Sequence, residues 1–189
     1  MTARGHGAAG TRYYVRDAAP ADLETVLSMK ARSWREAYGH LRDESFFAAA
    51  EATLDRQVEH WRGLMAHGQV LWMAEDSRGR CVGLAAAGPV QDAQKPQDAQ
   101  DAQEPQDAAL PQTQLSALYV LAEAQGRGVA DALLERAIGD SPCLLWVVED
   151  NARAQSFYRR HGFAAVGAPV PMDGPWAGLT ERLMVRRGA

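Results

Sequence analysis

Between Asp22 and Tyr38 the apolar residues Leu23, Val26, Leu27, Met29 and Trp34 recur three and four positions apart, the spacing of one helix face. Pro20 just before this run and Gly39 just after it mark the ends of a predicted helix. Residues 44–52 and 54–65 read as two shorter helices, and 129–138 and 151–161 as two more. Other stretches lose the helical period. Residues 13–16, 70–74, 81–87 and 113–120 are short apolar or alternating runs, as are 163–166 and 179–186, and all read as strands. Residues 75–80, Glu-Asp-Ser-Arg-Gly-Arg, form a natural hairpin turn between two of them. Cys143 to Val148 is apolar throughout, the mark of a strand buried on both faces. The alternation of the two periods predicts a mixed α/β fold.

One stretch breaks the pattern altogether. Gln91 to Ala108 repeats Gln-Asp-Ala with Pro96 and Pro105 inserted, and it has too little apolar content to offset the entropy of ordering. Residues 91–110 are therefore expected to be a disordered low-complexity insertion in a hairpin, within a single domain spanning 12–189 and preceded by a flexible N-terminus, 1–11. A partner-binding acidic arm is the alternative reading of the repeat.

Composition then narrows the class. With 47% hydrophobic and 23% charged residues the 189-residue chain falls near the globular average. Its net charge of −4 has a local source: the repeat holds five acids and one base, so the remainder is neutral. That balance lacks the basic stripe of a nucleic-acid binder. Cys81 and Cys143 lie in apolar runs without metal-ligand spacing and read as buried free thiols, so no metal is expected. Residues 1–10 lack the apolar core of a secretory signal, which makes the cytoplasm the default location and a membrane an unexpected partner.

Candidate chemistry concentrates in two segments. Leu118-Tyr119-Val120 leads through a short loop into Gln125-Gly126-Arg127-Gly128-Val129-Ala130 and then a helix. A helix start leaves backbone N–H groups without intrahelical acceptors, and two glycines permit close approach of an anion, with Arg127 adding a positive charge. Asp131 stands where the dinucleotide fingerprint needs a third glycine, and no lysine followed by Ser or Thr completes a P-loop. The second segment, residues 146–163, contains Asn151, Ala154, Gln155 and Tyr158 at helical spacing on one face.

Gln125-x-x-Gly128-x-Ala130 resembles the acyl-CoA-binding pattern Gln/Arg-x-x-Gly-x-Gly/Ala of the GNAT acetyltransferase superfamily. Asn151-x-x-Ala154-x-x-Phe157-Tyr158-x-x-x-Gly162-Phe163 is similar to that family's next strand and helix, with every named position filled. Trp34 and Tyr38 before Gly39 also resemble the end of the first helix in one group of these enzymes. The resemblance runs from Tyr13 to Arg186 apart from the repeat.

It implies a mostly antiparallel central sheet of six to seven strands, splayed between the fourth and fifth and flanked by about four helices. It also implies acetyl transfer from acetyl-CoA to a primary amine of a small molecule or peptide, by direct attack in a ternary complex. The loop Gln125 to Ala130 would hold the pyrophosphate, Leu118 to Val120 the pantetheine arm, and Asn151, Ala154 and Phe157 further parts of the cofactor. Tyr158 would protonate the leaving thiolate, its alternative reading being a core aromatic. Trp34, Tyr38 and Trp176 would face the acceptor, the last from a proline-stiffened stretch between Gly167 and Gly178.

Two departures matter. The strand region where some members carry a glutamate base reads Thr113-Gln114-Leu115-Ser116, which leaves Glu75, Asp76 and His40 as routes for the proton. Asp131 brings a carboxylate close to the expected pyrophosphate. A CoA-binding sensor or scaffold without catalysis is the competing reading, and a homodimer is the commonest assembly for soluble proteins.

Overall fold

The computed structural model describes residues 13–90 and 110–188, so the flexible N-terminus and the repeat expected from the sequence lie outside the described residues. Seven strands and five α-helices follow one another along the described residues. The strands are β1 (Tyr14–Asp17), β2 (Val70–Glu75), β3 (Cys81–Pro89), β4 (Thr113–Val120), β5 (Cys143–Val148), β6 (Ala164–Pro171) and β7 (Thr180–Arg186). The helices are α1 (Leu23–Tyr38), α2 (Glu44–Glu51), α3 (Leu54–Ala66), α4 (Val129–Ile138) and α5 (Ala152–Arg160). Strand order is β1-β2-β3-β4-β5-β7-β6, and β4 and β5 run parallel, as the mixed, mostly antiparallel expectation requires.

The chain divides into two compact units. The first comprises the residues up to Ala87 together with Ala117–Gly139, and the second Gly88–Ser116 with Asp140–Ala189. In the first unit β1, β2 and β3 form an antiparallel ladder, with Val15 opposite Ala74 and Met73 opposite Leu84. Period-two alternation gives this ladder two apolar faces. Leu23, Val26 and Met29 of α1 cover the face made by Leu71, Met73, Leu84 and Ala86, with Val58, Trp61 and Met65 of α3 packed alongside. Val129 and Leu133 of α4 cover the opposite face, made by Ala74, Val82, Ala85 and Val120.

Gly83 lets β3 carry both coverings. A Cβ there would stand 2.9 Å from Leu133 Cδ1, 3.1 Å from the Tyr119 carbonyl oxygen and 3.3 Å from Val120 Cγ2. Leu133 is fully buried and cannot withdraw. Gly83→Val is expected to destabilise the protein by about 2 kcal/mol through overpacking. The check is a urea titration, in which the midpoint should fall with the slope unchanged.

In the second unit β5 pairs antiparallel with β7, and β7 with β6. The start of β4 joins β5 in parallel at Gln114 opposite Leu144. Leu144, Leu183 and Val185 form the centre of one apolar cluster. β6 extends to Pro171, well past the strand predicted over 163–166, because β6 is the edge strand and an edge tolerates the missing N–H groups of Pro169 and Pro171. A bulge between Val166 and Val170 absorbs the irregular stretch. Part of the stretch expected as an acceptor-side loop is thus strand.

Candidate active site

The loop after β4 is built entirely within the first unit. Leu121 N–H donates to the Val82 carbonyl at 2.9 Å and Gln125 Nε2 to the Val120 carbonyl at 2.7 Å, so the chain leaves the sheet under tight control. A 3-10 turn, Ala122–Ala124, follows. Ala122 N–H donates to Glu36 Oε2 on α1 at 2.7 Å, and Arg32 Nε holds the other oxygen of that carboxylate at 3.0 Å. Sequence reading missed Glu36, and no local signal marks it, since 86 positions separate the partners.

Gly126 and Gly128 then take left-handed conformations, with φ of 71° and 78°, which favour glycine because an added Cβ crowds the backbone. Around both positions a Cβ would meet nothing within 4 Å, so the loop faces open space. Gly128 is the N-cap of α4, and Ala132 N–H donates to its carbonyl at 3.0 Å. The amides of Val129 and Ala130 precede the first intrahelical donor, Ala132 N–H, and so have no acceptor within the helix. Concave backbone donors at a positive helix end form an anion-binding arrangement. Arg127 is exposed between the two glycines, and Asp131 lies in the first helical turn, where acids are favoured.

On the opposite face of the same unit, Trp34 meets Tyr119 edge to face with centroids 6.1 Å apart. The Tyr119 side chain therefore belongs with α1, whereas Leu118 and Val120 face the α4 cluster. Burial pushes the Tyr119 phenol up to about 12, with the Tyr38 hydroxyl adding to the rise and a hydrogen bond from Trp34 opposing it. Trp34, Tyr38 and Tyr119 thus form one aromatic group.

One turn before Trp34, Lys30 Nζ donates to Gln57 Oε1 of α3 at 2.8 Å and lies 4.7 Å from the Trp34 ring centre. Burial lowers its pKa from 10.5 to about 8. The folded state is therefore penalised for keeping this proton. The penalty is complete below pH 8 and is relieved between about pH 8 and 10.5, where the unfolded chain binds more protons and stability rises with pH. Lys30→Met is expected to be more stable than wild type at pH 7 by roughly 1–2 kcal/mol, with the difference vanishing toward pH 10.5. Cys81 and Cys143, whose buried thiols are pushed up to about 11, act in the opposite sense in both proteins and cancel in the comparison. Paired denaturation curves across this pH range provide the check.

In the second unit, β5 turns into α5 through a braced corner. Asn151 Oδ1 accepts from Ala154 N–H at 3.0 Å, which makes Asn151 the helix N-cap. The sequence alone suggested an amide contact with a ligand; the structure gives this oxygen a capping task. Gln155 Nε2 donates to the Glu149 carbonyl at 2.7 Å, and Arg182 grips the Glu149 carboxylate with contacts of 2.6 and 2.7 Å. The Arg182 hydrogen bonds hold the Glu149 carboxyl below its ordinary value. Ala154, Gln155 and Tyr158 share the inward stripe of α5 as predicted, while Phe157 is partly exposed. Tyr158 is 8% exposed and packs edge to face with Phe157 and Phe163, at 5.4 and 5.7 Å. Trp176 is half-buried on a 3-10 turn, Gly174–Trp176, between β6 and β7.

Of the suggested proton routes, Glu75 pairs with Arg16 at 2.8 Å. Asp76 is buried in the hairpin turn; burial pushes its carboxyl up, but the amides of Arg80 and Arg78 and the Arg80 side chain outweigh this and hold it low. Both carboxylates hold structure. His40 is exposed just beyond α1. Glu181 of β7, opposite Val148 of β5 and Val170 of β6, is a carboxyl that burial raises, and sequence reading missed it because its surroundings come from other strands.

Among the described residues no group of three or more His, Cys, Asp and Glu side chains could hold a metal ion, and no helix is long and apolar enough to cross a membrane. A model described as the acetyltransferase (GNAT) family matches residues 32–163. A protein of Mycobacterium tuberculosis named "Probable N-acetyltransferase Rv2775" is 28% identical over 153 residues, 79% of this chain and 78% of that one. The PaiA N-acetyltransferase of Thermoplasma acidophilum, solved in complex with coenzyme A, superposes with a TM-score of 0.63 at 16% identity, covering 93% of this chain and 98% of the other. A Corynebacterium glutamicum structure described as histone acetyltransferase HPA2 and related acetyltransferase gives 0.64 at 24% identity, over 93% and 96%. These two structures share the fold. With the family match extending from within α1 to the end of α5, the chain belongs to the GNAT family of acetyltransferases.

Proposed function

We propose that this protein moves an acetyl group from acetyl-CoA to a primary amine of a small molecule or peptide, by direct attack with both substrates bound. The observation that carries the reading is the left-handed glycine pair at the start of α4, with open space beside both glycines and the first-turn amides of the helix following them. In this proposal residues 12–189 act as one acetyltransferase domain. Gln125 to Ala130 hold the pyrophosphate of acetyl-CoA, and backbone groups of Leu118, Tyr119 and Val120 hold the pantetheine arm. The Asn151 cap, Ala154 and Phe157 shape the cofactor's surroundings on α5, and Trp34, Tyr38 and Trp176 receive the acceptor.

The amine nitrogen attacks the thioester carbon; a C–N bond forms, the C–S bond breaks, and the sulfur leaves with a proton from Tyr158. The proton released by the amine leaves through water on the acceptor side. The coenzyme A-bound PaiA structure, which shares the fold, supports the choice of donor.

Isothermal titration with acetyl-CoA, followed by thiol release across a panel of amines, tests the proposal. Saturable binding with acceptor-dependent thiol release is the expected outcome. Binding without turnover on any amine would instead favour a sensor or scaffold, and absence of binding by the folded protein would refute the acetyl-CoA assignment.

A further inference from the structure

Lys30, Trp34 and Tyr38 follow one another at four-residue spacing on α1, so they share one helix face. The last two are the residues given to the acceptor above, and Lys30 continues their stripe by one turn. Its ammonium is unusual in what surrounds it. The contacts found are the Gln57 amide oxygen and the Trp34 ring, and among the described residues no carboxylate lies within ion-pair reach. Burial alone accounts for its lowered proton affinity, with no acid contributing.

Gln57 is itself fixed, since its Nε2 donates to the Ala50 carbonyl at 3.1 Å and to Thr53 Oγ1 at 2.9 Å, which leaves Oε1 toward Lys30. A cation held in this way by a neutral amide and an aromatic face keeps its full charge uncompensated. The residue as a whole is half-buried, with the ammonium on its inner side. At neutral pH it remains protonated, and such a group binds an anion strongly because the anion supplies the missing counter-charge.

We infer that Lys30 is a specificity-determining residue for the acceptor, reading a carboxylate carried by the same molecule as the reacting amine. The inference rests on the acetyltransfer reading above and narrows its acceptor to amino-acid-like molecules. One ammonium matches one carboxylate in charge, whereas a diamine would bring a second positive charge against it. Trp34 and Tyr38 supply the apolar wall beside the charge, and Tyr119 backs Trp34.

The test compares the twenty proteinogenic amino acids with their carboxamides, and putrescine as a cationic control, for wild type and Lys30→Met. Acetyl-CoA binding is measured on both proteins by calorimetry. Wild type is expected to prefer at least one free acid over its carboxamide by 10-fold or more in kcat/KM and to turn over putrescine poorly. In Lys30→Met, KM for that acid should rise at least 10-fold with kcat within 2-fold, while the carboxamide changes little. A merely structural lysine would move kcat, or acid and carboxamide alike. Acetyl-CoA binding with no acid preferred over its carboxamide would overturn the role of Lys30 and leave the acetyltransfer reading intact. Loss of acetyl-CoA binding by wild type would overturn both.

Discussion

Gly128→Glu is expected to weaken acetyl-CoA binding roughly a thousandfold, about 4 kcal/mol. Two effects add. Gly128 has φ of 78°, and an ordinary residue that relaxes out of this conformation in the free protein must be returned to it on binding, at about 1–2 kcal/mol. The introduced carboxylate then meets the pyrophosphate, and two like charges 4 Å apart near a surface repel by about 4 kcal/mol before screening. The space around this position is open, so the new side chain reaches the ligand region without first displacing protein atoms. Gly128→Ala separates the two contributions. It carries the backbone strain without the charge and should lose only about tenfold in affinity. Calorimetry on the three proteins, each checked for folding, measures the effect, and a glutamate variant that binds within fivefold of wild type would sink the phosphate assignment.

Tyr158→Phe is expected to lower kcat about 100-fold, the lower end of what a positioned acid supplies. The ring contacts with Phe157 and Phe163 survive the change, so stability and acetyl-CoA affinity should shift little. Loss of turnover without loss of binding is the signature of an interaction made in the transition state. A variant retaining a third or more of wild-type kcat would return Tyr158 to the role of a core aromatic, the other reading its sequence context allows.

Most elements could be read from local pattern, and the reasons are visible in particular residues. The three-and-four spacing from Leu23 to Trp34 required a helix because only that period buries one face, and α1 runs within a residue of the predicted limits. The continuous apolar run from Cys143 to Val148 had to be an interior strand, and it lies between β4 and β7. β6 was legible only in part, since Gly167, Pro169 and Pro171 erase the strand pattern and only its edge position makes those residues acceptable.

The candidate site divides in the same way. A left-handed glycine loop before a helix is local chemistry, so Gln125 to Ala130 and the stripe Asn151, Ala154, Gln155 and Tyr158 stood in the sequence with their family pattern. What an individual side chain meets is not always local. That Glu36 accepts from the Ala122 N–H and that Glu75 pairs with Arg16 depend on partners 86 and 59 positions away, whereas the Asn151 cap and the Asp76 turn are made with donors a few residues on.

The charged residues depend most on the fold. Lys30 in the sequence is one of 20 basic residues, and nothing beside it announces a cation without an acid. Its surroundings come from α3 and from Trp34 one turn away, and electrostatic character follows from burial and partners rather than from residue type. The sequence by itself determined the α/β order, the family and the position of the glycine loop before α4, because periodicity and glycine punctuation act over a few residues. Only the tertiary structure decided that Glu36 and Glu75 are spent on structure, which carboxyl burial raises, and where a cation is left uncompensated, because those properties arise from groups that meet across long stretches of chain.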